Sequence, residues 1–327
     1  MKSNIRQWFA AASALLCIAV SLCYGLKPDM FAAVTFFPAW VWLVPGIIIT
    51  VPAFKAKHRR WLFTVFGMWA VFALVFNEEP RSIIRRPGIS KAQLQSDVNR
   101  GRAVRVITLN CSGGNSKAAA EVRKYRPDIV LLQESPSESD IKRLTRELFG
   151  SHGGYTCTAD DSILARGHVQ PHTPSSDNRL ICASAHVKLC SGFELEAISL
   201  RLVPPVVRLD LWSPNCWNEY AGNRRIRRDQ TKQIANIIAG LPRHLPIIAG
   251  GDFNAPAGDD IFEHLCPRMH DTFAEHGVGW GNTVLNDFPV QRVDQIWADK
   301  RFHAVSVRAY KTHNSDHRMV VCDLLLH

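Results

Sequence analysis

Three uncharged apolar runs occupy most of the first eighty residues, and they limit what this chain can fold into more than anything else in it. WFAAASALLCIAVSLCYGL (8–26) runs nineteen residues without a charge, FAAVTFFPAWVWLVPGIIITVPAF (31–54) twenty-four, and WLFTVFGMWAVFALVF (61–76) sixteen. A bilayer's hydrocarbon core takes roughly 20 apolar helical residues. The first two runs have that length and the third is slightly short. Trp8, Trp40, Trp42 and Trp61 lie near the ends of the runs or within them, as an aromatic belt allows. Pro38, Pro45 and Pro52 should bend the second helix. Lys2 and Arg6 ahead of the first run also suit a cleaved signal peptide. Two further runs follow at short spacing, so the expectation is three transmembrane helices in residues 1–80. The segment KAKHRR (55–60) carries four Lys/Arg and the first loop, KPDM, carries one. The positive-inside tendency then places the N-terminus and 55–60 in the cytoplasm and everything after the third crossing outside. The expected location is a cell membrane, multi-pass, with residues 81–327 extracytoplasmic.

The rest of the chain has a different character. Residues 81–102 are polar and lack a clear period; they read as a linker with a short helix near 90–98. Residues 81–327 carry 32 Lys/Arg against 26 Asp/Glu, a mild basic excess that suits a phosphate-bearing partner without requiring one. Seven cysteines lie there, and Cys182 and Cys190 bracket an expected hairpin, an arrangement open to disulfide pairing outside the cytoplasm. No CxxC or Cys/His spacing suggests zinc, and no GxGxxG or GxxxxGK loop supports a nucleotide cofactor.

From residue 103 to 327 strands and helices mix. VRVITL (104–109), DIVLLQE (128–134), RLICASAHVKLC, FELEAISLRL, VVRLDLW (206–212), LPIIAGGDFN, RVDQIWA (292–298), AVSVRAY (304–310) and HRMVVCDLLL (317–326) read as strands. NSKAAAEVRKYRP (115–127), SESDIKRLTRELFG (137–150) and NRRIRRDQTKQIANIIAG (223–240) read as helices with polar starts and Pro or Gly stops. Adjacent strands late in the chain favour two stacked sheets flanked by helices.

Polar residues gather where these strands end. Asn110 follows the first; Gln133 and Glu134 follow the second; Asp252 and Asn254 follow LPIIAGG; Asp294 lies in RVDQIWA; Asp316 and His317 precede the last strand. A sheet scaffold presents its chemistry at such ends. Carboxylate and carboxamide oxygens are hard ligands for Mg2+ or Mn2+, and a His beside an Asp can orient or deprotonate a water. Taken singly each motif has an ordinary reading: GDFN is most often a turn, and Asp294 could pair with a neighbouring Arg. Their joint occurrence in a fixed order gives them weight.

In that order VITLN, PDIVLLQE, IIAGGDFN, RVDQIW and SDHRMVV resemble the endonuclease/exonuclease/phosphatase superfamily over about residues 103–326. SILAR (162–166) is similar to the family's strand after the acidic motif. The run GWGNT…RVDQIW…SDHRMVV is similar to its membrane-anchored, teicoplanin-resistance-type branch. The resemblance implies an α/β four-layer sandwich of two mixed β-sheets flanked by helices. It implies Glu134 as the main metal ligand, helped by Asn110 and Asp316. Asp252 and Asn254 would position the attacking water or the phosphate, and His317 would contact the phosphate or act as a base oriented by Asp294. Arg201 stands where the family carries a His; it can bind phosphate bidentately but cannot titrate near neutral pH.

The expected activity is a membrane-tethered, divalent-metal-dependent phosphoesterase. Its partners would be the bilayer and a phosphate-bearing substrate, lipid-linked phosphate ahead of nucleic acid. An extracytoplasmic nuclease of the same fold and a non-catalytic phosphate-binding module are the alternatives. The His152, His168, His172, His186 group reads as surface or core residues ahead of a metal site, the RRIRR run (224–228) as a solvated helix face ahead of a grip on an anionic substrate or lipid headgroups, and Trp212, Trp217 and Tyr220 as a loop beside the site, a core cap or a membrane-surface contact.

Overall fold

The computed structural model describes residues 2–55, 60–88, 93, 96–97, 102–172 and 182–326. The short helix expected near 90–98 and most of the KAKHRR segment lie outside the described residues. The chain divides into two compact units, one of residues 1–81 and 206–225, the other of residues 82–205 and 226–327.

The first unit holds α1 (Lys2–Leu26), α2 (Ala32–Phe36), α3 (Leu43–Thr50) and α4 (Arg60–Phe76). Here the structure corrects the expectation of three separate spans. Within α1, Gln7–Leu26 has a mean hydropathy of 2.1 and is long and apolar enough to cross a membrane; only 22% of its most apolar stretch is buried. The second run breaks into Asp29–Phe36 and Ala39–Ala53, bent by 85°. The break falls at Phe37 and Pro38, both extended, because proline removes a helical N–H and drives the residue before it out of the helix. The third run, Trp61–Phe76, remains a shorter apolar helix. By length and composition, then, one helix among the described residues can cross a membrane, or two if the bent pair is a single span. A buried polar knot ties these helices together: Ser13 Oγ donates to the Gly46 carbonyl at 3.0 Å and accepts from Thr50 Oγ1 at 2.8 Å and Trp69 Nε1 at 3.0 Å. These three bonds satisfy buried hydroxyl and indole groups where α1, α3 and α4 meet.

Residues 206–212, expected as a strand, are irregular. Tyr220 Oη accepts from the Arg208 N–H at 3.0 Å and donates to the Arg208 carbonyl at 2.9 Å, and Arg208 pairs with Asp210. These bonds take up backbone groups that a strand partner would have used. Trp217 and Tyr220 pack in this unit beside Ala32, Ala33 and Cys216, while Trp212 is exposed.

The second unit begins at the end of α5 (Glu79–Ile84) and continues through β1 (Ala103–Asn110), α6 (Ser116–Ala120), β2 (Ile129–Gln133), α7 (Glu138–Phe149), β3 (Gly154–Cys157), β4 (Asp161–Ala165), β5 (Gly167–Pro171), β6 (Cys182–Leu189) and β7 (Glu194–Arg201). The part of the long helix α8 (Pro214–Gly240) from Ile226 onward follows, then β8 (Ile247–Asp252), β9 (Met269–Asp271), α9 (Thr272–His276), β10 (Asp294–Asp299), β11 (Phe302–Tyr310) and β12 (Met319–Leu326). Among the described residues the strands form two six-stranded sheets, ordered β11-β12-β1-β2-β4-β3 and β5-β6-β7-β8-β10-β9. Each is antiparallel except for one central parallel pair, β1 with β2 and β7 with β8. The expected α/β architecture of two mixed sheets flanked by helices is what forms. Val106, Leu131, Ile163, Ala185, Ala197, Ile248 and Ile296 fill the space between the sheets. Ala118, Val122, Ile141 and Leu144 cover the outer face of the first sheet, and Ile234, Ile238 and Phe262 that of the second.

All nine cysteines are free. Cys182 and Leu189 are the two ends of β6, so Cys182 and Cys190 do not bracket a hairpin. Eight residue-to-residue steps of extended chain place them about 26 Å apart, far beyond disulfide reach.

Candidate active site

Register brings the polar strand ends together. In the first sheet Asn110 pairs with Gln133, and Gln133 with Asp161. In the second, Arg201 pairs with Asp252, and Asp252 with Asp294. Each row lies at the C-terminal end of its sheet's parallel pair, and side-chain bonds join the rows across the sandwich. Asn110 Nδ2 donates to Asp252 Oδ2 at 3.0 Å and to Glu134 Oε1 at 3.1 Å. Gln133 Nε2 donates to Ser199 Oγ at 2.9 Å. Arg201 reaches Glu134 Oε1 at 2.7 Å and Asp160 Oδ2 at 3.3 Å.

The two glycines ahead of Asp252 let the strand sit there. A Cβ on Gly250 would come within 2.8 Å of Leu131 Cδ1 in the facing sheet; one on Gly251 would come within 1.8 Å of the Leu200 carbonyl oxygen. Ser112 (φ 50°), whose N–H donates to Asn110 Oδ1 at 2.9 Å, and the site residues Glu134 (φ 44°) and Asn254 (φ 49°) adopt left-handed backbone. Such conformations are costly and gather where function demands them.

Asp252, Asp294 and His317 form the tightest set of donors: one ligand atom from each lies within 4.8 Å of the others. All are buried, Asp294 completely. His317 Nδ1 lies 2.8 Å from Asp294 Oδ2. Asp252 Oδ1 accepts the Asn254 N–H at 2.9 Å, and Asn254 Nδ2 donates to the Leu202 carbonyl at 2.8 Å, which fixes the turn. Burial, then the neighbouring Asp294 charge, pushes the Asp252 carboxyl up to about 6, against the pull of His317. Burial opposes charge on His317 as well. The charge and hydrogen bond of Asp294, with Asp252 and Asp316 behind it, outweigh that and raise its pKa to about 10.

Glu134 belongs to the same site but not to this trio. Its Oε2 accepts the Gly113 N–H at 2.6 Å, and Asn110 and Arg201 share its Oε1. Asp316 is exposed, and its carbonyl oxygen accepts the Asn286 N–H at 2.8 Å. Of the eight residues singled out in the sequence, direct bonds or the 4.8 Å cluster thus connect Asn110, Glu134, Arg201, Asp252, Asn254, Asp294 and His317. Asp316 stands at the rim.

Several residues that hold the site were not singled out. Ser315 Oγ accepts from the His317 N–H at 3.0 Å and donates to the Asn110 carbonyl at 2.7 Å, tying the histidine loop to β1. Thr283 Oγ1 accepts from the Val293 and Asp294 N–H groups at 3.2 and 3.1 Å. Asp161 lies under the site, with Ser199 Oγ 3.3 Å from its Oδ1. Burial, then the charge of Asp160, pushes the Asp161 carboxyl well above the usual range. The RRIRR run is structural: Arg224 donates to the Lys27 carbonyl at 3.0 Å, and Arg228 pairs with Asp260 at 2.9 Å. His172 and His186 flank the buried Glu196, at 2.6 and 3.3 Å.

The donor set fits a hard divalent cation. Two buried carboxylates face one imidazolium in the trio, leaving excess negative charge, and Asp294 Oδ1 is buried with no hydrogen-bond partner. Glu134 and Asn110 add further oxygens of the kind Mg2+ and Mn2+ take.

Comparison with known proteins agrees with this geometry. Among curated protein sequences none matches the chain. Three of the solved structures that share the fold illustrate the likeness. An endonuclease/exonuclease/phosphatase family protein from Bacteroides thetaiotaomicron has a TM-score of 0.54 at 16% identity, over 69% of this chain and 98% of that one. The mannosyl-6-phosphatase of the same organism has a TM-score of 0.53 at 16% identity, over 68% and 100%. Humanised D. rerio TDP2 has a TM-score of 0.50 at 17% identity, over 68% and 99%. Residues 107–317 match the sequence profile of the Endonuclease/Exonuclease/phosphatase family, a stretch that contains every residue of the site, and the chain belongs to that family of phosphate-ester hydrolases.

Proposed function

We propose that this protein is a membrane-tethered, divalent-metal-dependent phosphoesterase that hydrolyses a lipid-linked phosphate ester or pyrophosphate, as in the membrane-anchored branch its last two motifs resemble. The observation that carries the phosphoesterase reading is the buried Asp252–Asp294–His317 cluster, bonded through Asn110 to Glu134 across the two sheets. The apolar α1 motivates the tether, since holding enzyme and substrate in one bilayer raises their effective concentration. The mannosyl-6-phosphatase shows that the fold serves a phosphatase, and the apolar helix together with the last two motifs favours a lipid-linked phosphate.

The residues divide the work as follows. Asp252, deprotonated above about 6 and held by Asn110 and the Asn254 N–H, accepts the proton of the attacking water. The water oxygen bonds to phosphorus as the bond to the leaving oxygen breaks. His317, which keeps its proton to about 10, gives it to that leaving oxygen, with Asp294 fixing the ring. Arg201 presents a planar fork of donors to the phosphoryl oxygens. Glu134 and Asn110, with Asp316 at the rim, would hold the divalent cation, which neutralises charge gathering on the phosphoryl group.

The test uses the full-length protein in detergent micelles, with Mg2+ or with EDTA. Substrates are a long-chain isoprenyl pyrophosphate, a hexose 6-phosphate and supercoiled plasmid. Mg2+-dependent phosphate release from the isoprenyl substrate, lost in Asp252→Asn, is the expected result. Plasmid nicking without lipid hydrolysis would make the protein a nuclease, and inactivity towards all three substrates would make it a binding module.

A further inference from the structure

We infer that Arg201 is a removable counter-cation on Glu134. It holds that carboxylate before metal arrives and passes to the substrate phosphate when a divalent cation takes its place, so that metal and phosphate load together. The inference deepens the phosphoesterase reading and rests on it for the role of Glu134.

Three donors occupy Glu134: Asn110 Nδ2 at 3.1 Å and Arg201 at 2.7 Å on Oε1, and the Gly113 N–H at 2.6 Å on Oε2. Oε1 already accepts from two donors, so a cation that binds there must displace one of them. Gly113 contributes backbone from a turn. Asn110 is buried and also bonded to Asp252, so its departure would strip two carboxylates at once. Arg201 differs from both. It is a long side chain, about a quarter exposed, and it already has a second carboxylate, Asp160, at 3.3 Å. Its Nε is buried without a hydrogen-bond partner, so its present position leaves a donor unused. Released from Glu134, the guanidinium stays beside Asp252, its neighbour in the β7–β8 register, where the phosphoryl group is to sit. A histidine at this position, shorter and neutral near pH 7, would not compete for Glu134 in this way.

Charge sets the direction of the effects. Guanidinium and divalent cation compete for one carboxylate, so removing the guanidinium tightens metal binding. Removing Asp160 takes away its alternative partner and weakens metal binding. A phosphate-like anion draws Arg201 off Glu134 and tightens it. Couplings of this kind between two ligands are typically about 5- to 150-fold.

The experiment titrates Mn2+ into the metal-free, full-length protein in micelles, following free Mn2+ by electron paramagnetic resonance, with and without orthovanadate. Arg201→Gln should bind Mn2+ about tenfold more tightly than wild type, and Asp160→Asn more weakly. Vanadate should tighten Mn2+ in wild type and have much less effect in Arg201→Gln. Arg201→Lys, a charged side chain without the fork, should fall between Arg201→Gln and wild type. Unchanged or weaker Mn2+ binding in Arg201→Gln overturns the inference, as does equal binding in Glu134→Gln and wild type. Because binding is read directly, an enzyme inactive on every substrate tried can still support or overturn this competition. Hydrolysis by a protein whose Mn2+ affinity ignores Arg201 would sink the inference and leave the phosphoesterase reading standing.

Discussion

His317 Nδ1 lies 2.8 Å from Asp294 Oδ2 in a setting where Asp294 is completely buried and its other oxygen has no hydrogen-bond partner. Among the described residues the aspartate's side chain therefore has one hydrogen-bond partner, and that bond sets the orientation and charge of the imidazole. Asp294→Asn preserves the shape but removes the charge that keeps the ring protonated. It should lower kcat by about a hundredfold or more, the range general acid–base groups supply, with a smaller change in KM. Steady-state kinetics on whichever substrate proves active checks this; an equal loss in KM would assign Asp294 to binding instead.

The same pair predicts a proton inventory for the metal-free protein. His317 in the fold titrates near 10 rather than near its ordinary 6.5. A folded pKa above the unfolded one stabilises the fold fully below about 6.5, and that contribution is lost as pH rises through about 10. Asp252, raised to about 6, has the same sign: its contribution is present below about 3.8 and lost as pH rises through 6. NMR titration of the His317 ring should show no deprotonation at pH 8, and in Asp294→Asn the transition should move down towards the usual histidine range. A wild-type ring that is neutral at pH 8 refutes this assignment.

The strands that carry chemistry were readable because they are buried runs ending on polar residues. VRVITL, DIVLLQE, LPIIAGGDFN and RVDQIWA lie within one or two residues of β1, β2, β8 and β10. The supporting residues were not readable, because their partners are remote in sequence. Ser315 meets Asn110 across 205 positions, and Arg201 meets Asp160 across 41. Where local pattern misled, a tertiary cause is visible. Residues 206–212 alternate like a strand, but Tyr220 takes up backbone groups of Arg208 and leaves Val207, Leu209 and Trp212 exposed. The second apolar run has the composition of a span, but at Pro38 it turns through 85°.

The glycine pair ahead of Asp252 offers a test of packing between β7 and β8. Gly251→Ala would place a methyl group 1.8 Å from the Leu200 carbonyl oxygen, a contact only backbone movement of β7 or β8 can relieve. The expected cost is about 2 kcal/mol or more. Because Arg201 and Asp252 lie at the ends of those two strands, activity should fall with stability. Chemical denaturation followed by tryptophan fluorescence measures the first; an unchanged midpoint would show that the strands can part locally.

Asp161 provides the last test, since burial, then the charge of Asp160, pushes its carboxyl towards the neutral acid. Ser199 Oγ accepts from Gln133 and has one proton to give, with the Leu132 carbonyl 3.0 Å away and Asp161 Oδ1 3.3 Å away. If that proton goes to the closer carbonyl, Asp161 must itself be the donor, and it can be one only as the neutral acid that its burial favours. Asp161→Asn then replaces one neutral donor by another of nearly the same shape and should leave the unfolding midpoint nearly unchanged. Asp161→Ala leaves Ser199 short of a partner and opens a void, for a loss of about 1–3 kcal/mol. Equal destabilisation by both substitutions would show that Asp161 is ionised, and that its charge, not its proton, braces the floor beneath Arg201.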